Sequence, residues 1–292
     1  MGRVATVNQI IPFSCVDGPG SRLVIFMQGC NFNCKNCHNP YTIDMCNSCG
    51  DCVATCPANA LSLTHDPQGK PKVVWHSDNC TQCDICLATC PRQSSPKTRQ
   101  YSVEQMLTLI RSQVFFINGI TVSGGEATLQ LPFIIELFQA IKSSDDLAHL
   151  SCMIDSNGYL STNAWQQVMP YLDGAMIDLK SWQQETHHYI TNRDNHRVFA
   201  SLKLLAEQNK LYEIRLLHIP NVSDFDREID AVAVYLSQLP ASVRVKLNAF
   251  QHHGVTGEAL NWPTCSEQQM QELAARLTER GVANLILPNV YL

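Results

Sequence analysis

The stretch QGCNFNCKNCHNP, residues 28–40, carries Cys30, Cys34 and Cys37 in a C-x3-C-x2-C array directly after an apolar run. Thiolates bind soft metals, and a closed metal site takes four ligands, so this array is one short. The chain has 14 cysteines in 292 residues. Cys46, Cys49, Cys52 and Cys56 read C-x2-C-x2-C-x3-C-P, and Cys80, Cys83, Cys86 and Cys90 repeat that spacing, again followed by Pro. Cys15, Cys152 and Cys265 are left over and could complete the first array, Cys15 being nearest in sequence. Disulfides belong to oxidising compartments. The opening MGRVATVNQI lacks the apolar segment of a secretion signal. No apolar run approaches a membrane span. The chain therefore reads as cytoplasmic, and clustered thiols there favour metal. Zinc ribbons use paired C-x2-C knuckles, which these longer runs do not match.

The repeated run resembles that of bacterial ferredoxins, in which three cysteines hold one 4Fe-4S cluster and the fourth crosses to the other. The resemblance implies one cluster on Cys46, Cys49, Cys52 and Cys90, and another on Cys80, Cys83, Cys86 and Cys56. Ala54, Thr55, Ala88 and Thr89 are small enough to pack around inorganic sulfide, and Pro57 and Pro91 turn the chain away. Fully ligated clusters pass electrons. A cluster on Cys30, Cys34 and Cys37 would instead keep one open iron, as catalytic metal sites keep an open position.

The elements that position these residues alternate. Strand candidates are Arg22–Met27, Gly119–Ser123, Leu150–Asp155, Gly174–Leu179, Glu213–Ile219, Val243–Phe250 and a short Asn284–Leu287. Between them, helical periodicity runs through residues 132–142, 163–172, 198–208, 226–239 and 267–280. Another helix opens at Ser102, with Gln105 completing a capping box. Alternating strands and helices predict an α/β fold with a parallel sheet and right-handed crossovers. Six or seven units fall short of a closed eight-stranded barrel. The expected architecture is a partial (β/α)6 TIM-type barrel over 1–43 and 95–292, with a ferredoxin-like insert holding two 4Fe-4S clusters over 44–94. Polar residues end each strand: the three cysteines, then SGGE (123–126), DSNG (155–158), DLK (178–180), Arg215 with His218, and Asn248 leading into QHHG (251–254). Such ends converge on the catalytic face of a barrel.

The C-x3-C-x2-C array after a strand resembles the radical S-adenosylmethionine (radical SAM) superfamily over most of the chain. The resemblance implies that S-adenosylmethionine chelates the open iron. Its reductive cleavage would then give a 5′-deoxyadenosyl radical. It further implies cofactor binding by the backbone of Gly124, Gly125 and Glu126, and by Asp155, Ser156, Asp178, Lys180 and Arg215. The two aspartates are also placed for a monovalent cation. Ala127 replaces the usual Pro, and Asn36 replaces the usual aromatic between the last two cysteines. His38 is expected near the adenine. Gln251 falls where a cofactor-side histidine often sits, so the neighbouring His253 is the candidate there. His187 and His188 read as surface or satisfied residues.

VDGPGSR (16–22) resembles the entry motif of glycyl radical enzyme activating enzymes, which take one hydrogen from a glycine of a partner enzyme. That assigns Asp17 to binding the partner's glycine loop. With SGGEATLQLPF, DSNGYL, LNAF, the final YL and the insert's position, the chain most resembles the YjjW-type activase branch. A flavodoxin or ferredoxin would be the electron donor. A net charge of −5 with 16% charged residues and no basic stripe argues against nucleic acid. The alternatives are a radical SAM enzyme acting on another peptide or small molecule, and a non-catalytic electron carrier. The carrier leaves the three-cysteine array and the polar strand ends without a use.

Overall fold

The computed structural model describes residues 2–288. The chain forms strands β1 (Val4–Ser14), β2 (Arg22–Met27), β3 (Leu61–His65), β4 (Pro71–Trp75), β5 (Arg99–Ser102), β6 (Gly119–Gly124), β7 (Ser151–Ser156), β8 (Gly174–Leu179), β9 (Leu211–His218), β10 (Arg244–Ala249) and β11 (Leu285–Ile286). Its α-helices are α1 (Asp51–Ala54), α2 (Ile85–Thr89), α3 (Val103–Gln113), α4 (Leu131–Lys142), α5 (Thr162–Val168), α6 (Gln184–Thr191), α7 (His196–Glu207), α8 (Ile229–Ser237) and α9 (Glu267–Thr278).

Nine strands make one sheet in the order β11-β10-β9-β8-β7-β6-β2-β1-β5. From β2 to β11 every pairing is parallel, and β1 pairs antiparallel with both β2 and β5. Helices intervene between successive parallel strands, so the fold is α/β with a mostly parallel sheet.

Period-two alternation sorts each strand's side chains. Leu23, Ile25 and Met27 of β2 join Ile120, Val122, Cys152, Ile154, Ile177, Ile214, Leu216, Val245 and Leu247 in one core under the helices. Met106, Leu137, Phe138, Trp165, Leu205, Leu236 and Leu273 meet them from the helix side. Each such side chain contributes about 1.5–3 kcal/mol by leaving water. The intervening positions Phe26, Ser123, Asp155, Asp178, Arg215 and Asn248 line one cavity on the other face. Since all six strands reach it, the sheet is curled around it.

Several elements differ from the sequence expectation. β1 contains Pro12 and mixes polar with apolar residues, and β5 reads only RQYS, so neither carries a strand signal. The helix expected over 163–172 stops at Val168 and ends in a 3-10 turn, Met169–Tyr171, because Pro170 cannot donate the next helical bond. α6 lies in a stretch rich in polar residues. The Ser102–Gln105 capping box forms as read, and a second one joins Ser266 and Gln269. The final YL lies outside the described residues. Among those described, no helix is long and apolar enough to cross a membrane.

Segment 44–94 contains the β3–β4 hairpin as a separate sheet. It has a small core of Cys52, Leu61 and Cys86, packed by Val53, Cys56, Val73, Trp75 and Leu87. Its two ends meet where Ser94 Oγ donates to the Asp44 carbonyl at 2.7 Å.

Glu126 binds the strand ends together. Its buried carboxylate accepts from Ser156 Oγ at 2.8 Å, from the Asn157 amide at 2.7 Å, and from the amide and hydroxyl of Thr128. All four partners donate, so an amide in its place turns one acceptor into a donor facing a donor. Glu126→Gln is therefore expected to cost roughly 1–3 kcal/mol, seen as a lower thermal midpoint of the iron-free protein by circular dichroism. An unchanged midpoint would remove Glu126 from this role.

Candidate active site

The three-cysteine loop is fixed at both ends by backbone bonds. Gly29 and Cys30 donate to the carbonyls of Thr42 and Ile43, both at 2.8 Å, and Asn33 and Lys35 donate to Thr191 and Ile190 at the end of α6. Gly124 and Gly125 let the next strand end close in. A Cβ on Gly124, where φ is +127°, would lie 2.3 Å from the Met27 backbone, and one on Gly125 would lie 2.4 Å from the Gly29 carbonyl. In this structure the absent side chains thus make room for protein backbone.

The cavity behind this loop holds about 530 Å³. Cys30, Cys34, Cys37, His38, Gly124, Gly125, Asp155, Ser156, Asp178, Lys180 and Arg215 all line it. Two sequence candidates do not. The Glu126 carboxylate is consumed by the tie just described, and Ser156 Oγ donates to it. His253 is exposed on the following loop, where Gly254 packs against the His38 backbone. The side chains of Gln251 and His252 bond within that same segment, to the carbonyls of Cys265 and Trp262. His188 is exposed, whereas His187 is fully buried, with Nδ1 on the Arg193 carbonyl at 2.9 Å. Phe32, Thr42, Ile43 and Asn157 also line the cavity. Asn157 belongs to the DSNG strand end, whereas nothing in the types or spacing of Phe32, Thr42 and Ile43 marks them, and the fold of the cysteine loop brings them in.

Charge is arranged in pairs. Arg215 Nη1 donates to Asp155 at 3.0 Å and Nε to Glu213 at 2.7 Å, while Ser123 Oγ donates to the other Asp155 oxygen at 3.0 Å. Lys180 Nζ donates to Asp178 at 2.7 Å. Burial alone would lower Lys180, but Asp178 and the nearby cysteines hold it above its ordinary range. Burial pushes the Cys30 thiol up to about 12 and raises Cys34 and Cys37 as well, with Lys180 opposing in each case. Thiols raised in this way favour the thiolate when a metal or a positive charge faces them. Three of them around one cavity, with a cation behind, fit an iron–sulfur cluster. The paired aspartates and the lysine fit the amino and carboxylate groups of an amino-acid cofactor.

Asp17 stands at the other end of β2. Its carboxylate accepts from Ser14 Oγ, and its carbonyl accepts from Thr121 Oγ1 at 2.6 Å. Arg22 of the same motif is fully buried. Its guanidinium donates to Thr121 Oγ1, the carbonyls of Pro19, Ile120 and Ser151, and Ser151 Oγ, which uses all five of its N–H groups. That accounts physically for an Arg at this position: it closes the start of three strands.

In segment 44–94, Cys56, Cys80, Cys83 and Cys86 line one small cavity, with Lys97 at its edge. Cys52 is raised to about 11, first by burial and then by Cys46 and Cys86, with Cys49 contributing. Among the described residues no three His, Cys, Asp or Glu side chains converge on a single metal ion. A cubane cluster holds its thiolates farther apart than one ion does.

Residues 24–232 match the model of the Radical SAM superfamily. The chain is 32% identical over 263 residues to a (2S)-3-sulfopropanediol dehydratase activating enzyme from Klebsiella oxytoca, covering 83% of this chain and 80% of that protein. It is 29% identical to an indoleacetate decarboxylase activating enzyme from Tractidigestivibacter scatoligenes, covering 97% of both. In fold it is similar to QueE from Escherichia coli, with a TM-score of 0.52 at 14% identity, covering 98% of this chain and 94% of that one. With its three cysteines, paired glycines and charged strand ends around one cavity, the chain belongs to the radical SAM superfamily and, within it, to the glycyl radical enzyme activating enzymes.

Proposed function

We propose that this chain binds S-adenosylmethionine at a 4Fe-4S cluster held by Cys30, Cys34 and Cys37, and uses it to place a radical on a backbone glycine of a partner glycyl radical enzyme. The single observation that carries this is the convergence of those three half-buried cysteines with Asp155, Asp178, Lys180 and Arg215 on one cavity. When bound, cluster and cofactor would supply the one-electron chemistry that removes a hydrogen atom from the glycine. The chain's own residues orient and shield. Lys180 and Arg215 set positive charge where a carboxylate would lie, Asp155 and Asp178 face an amino group or a monovalent cation, and the loop carrying His38 covers one side. The partner's loop would approach along Asp17. Among activases, the branch is the YjjW type.

Two further 4Fe-4S clusters would sit in the insert, 44–94, and relay electrons from a flavodoxin or ferredoxin. The shared cavity of Cys56 with Cys80, Cys83 and Cys86 supports the crossed ligand set. Cys46, Cys49, Cys52 and Cys90 then hold the other cluster.

Reconstituted protein should contain about twelve iron atoms, four per cluster. Changing Cys30, Cys34 and Cys37 together to Ala should remove about four and abolish cofactor cleavage; unchanged iron content would refute the site. Cys46→Ala or Cys80→Ala should slow turnover with flavodoxin yet leave S-adenosylmethionine binding intact by calorimetry.

The function itself is tested with the glycyl radical enzyme encoded nearest this chain. Reduced, anaerobic protein should give methionine, 5′-deoxyadenosine and a glycyl radical doublet on the partner by electron paramagnetic resonance. Asp17→Ala should lower the doublet more than it lowers uncoupled cleavage. Cleavage without any doublet would instead favour an activity on another peptide or a small molecule.

A further inference from the structure

The two cysteine runs of segment 44–94 are copies of one unit with unequal surroundings. A shift of 34 residues carries Cys46, Cys49, Cys52 and Cys56 onto Cys80, Cys83, Cys86 and Cys90. The structure keeps that relation. Thr55 and Thr89 meet hydroxyl to hydroxyl at 3.2 Å, and the left-handed backbone of Ser48 and Gly50 recurs at Gln82 and Asp84. Charge is not kept, because Lys97 falls where the first copy has Leu63. Leu63 packs over Gly50, where a Cβ would lie 3.3 Å from it. Lys97 instead donates to Gln82 at 3.0 Å and to Asp84, both inside the second run, and it lines the cavity shared by Cys56, Cys80, Cys83 and Cys86. Its side chain is 13% exposed against 61% for Asp84, so water screens the anion more than the cation.

A second donor lines the same cavity. Trp75 Nε1 is buried without a hydrogen-bond partner. Its counterpart in the first copy, Tyr41, donates to Asn39 at 3.1 Å. Burial would raise the Cys80 thiol, but the Gln82 amide, the Trp75 indole and Lys97 outweigh it. Buried N–H groups are normally satisfied, so an orphan beside these cysteines fits a cluster sulfur as its acceptor.

We propose that Lys97 and Trp75 make the two insert sites unequal, so that the cluster on Cys56, Cys80, Cys83 and Cys86 takes an electron more readily than the one on Cys46, Cys49, Cys52 and Cys90. A cation and an N–H directed at sulfur both stabilise the extra negative charge of the reduced state. The inference rests on the reading of segment 44–94 as a two-cluster insert and adds an order to it. Each transfer moves one electron, oxidising the flavodoxin or ferredoxin donor and reducing this cluster. Lys97 also stands at the insert's root. Two residues before it, the Ser95 amide donates at 2.9 Å to the Tyr41 carbonyl, which accepts from Gln28 as well. An electron entering the insert therefore rests at the site that the root reaches.

The test is a reduction potential rather than turnover. The full-length chain with Cys30, Cys34 and Cys37 changed to Ala is reconstituted to about eight iron atoms. It is then titrated with dithionite and mediators, followed by electron paramagnetic resonance, and should show two separate one-electron steps. Lys97→Met at unchanged iron content should shift the upper step about tenfold toward the oxidised form, about 59 mV for one electron, and leave the lower step in place. Trp75→Phe should lower the same step. A single shared step, an upper step that Lys97→Met leaves unmoved, or a fall of both steps together overturns the proposal. Should Lys97→Met lose its iron, Trp75→Phe decides alone: a lowered upper step sustains the proposal and an unmoved one overturns it. Should the chain without the loop cysteines lose all its iron, the same titrations are made with those cysteines in place. If the wild-type chain holds only about four iron atoms, the two-cluster reading falls first, and this proposal falls with it.

Discussion

One buried carboxylate holds the catalytic end of the fold together. Glu126 follows the paired glycines, and its amide donates to the Gly29 carbonyl at 2.8 Å, just before Cys30. Its side chain takes the end of β7 through Ser156 and Asn157. Asn157 in turn donates to Asn31 Oδ1 at 2.8 Å, inside the cysteine loop. Three successive strand ends are thus closed into a ring by hydrogen bonds to charged or amide groups, the strong kind in a dry environment. A three-cysteine array specifies a cluster only if the thiols stay at fixed separation. The array supplies the ligands; the ring supplies the rigidity.

The cavity interior poses a second constraint. Carboxylates and cations taken out of water must be paired, because an isolated buried charge costs far more than it returns. The strand ends satisfy this both across strands, Asp155 with Arg215 and Glu213 with Arg244, and along one chain segment, Asp178 with Lys180 and Glu213 with Arg215. Such a network is indifferent to small changes in the apolar core, which lies on the other face of the same strands. Alternation therefore lets one short strand such as GAMIDL serve packing through Ala175, Ile177 and Leu179 and chemistry through Asp178.

This separation also explains what could be read from the sequence. The seven parallel strands were legible because each is a short segment of apolar or alternating residues, and Asp155, Asp178, Lys180 and Arg215 were legible because each closes or punctuates such a segment. β1 and β5 were not: Pro12 and scattered polar residues interrupt β1, and β5 is a four-residue polar strand at the sheet edge, so neither carries an apolar signal. Glu126 was placed with the cofactor on motif grounds, and its packing against Ser156 depends on a contact thirty residues away that no local pattern encodes. Arg22 is similar: the motif marked it, but its five acceptors come from three separate segments. Asn36 stood out only as a departure from the resemblance.

Gln28 connects these two scales. It is 1% exposed, and its amide donates to the carbonyls of Tyr41 and Asp44 at 2.8 and 2.7 Å. Its own carbonyl accepts from Gln130 at 3.1 Å, and its Oε1 accepts from Asn8. One side chain at the end of β2 therefore fixes both the start of the cysteine loop and the root of segment 44–94. Because the ends of that segment meet at Asp44 and Ser94, some fifty residues are inserted while the underlying connection stays short. The cost of closing such a loop rises only slowly with its length, so the barrel need not distort to carry it. On the proposed reading, the root also lies beside the three cysteines, where an electron leaving the insert has to arrive. The same hydrogen bonds that let the insert fold as a unit would then hold its clusters at a constant distance from the site they serve.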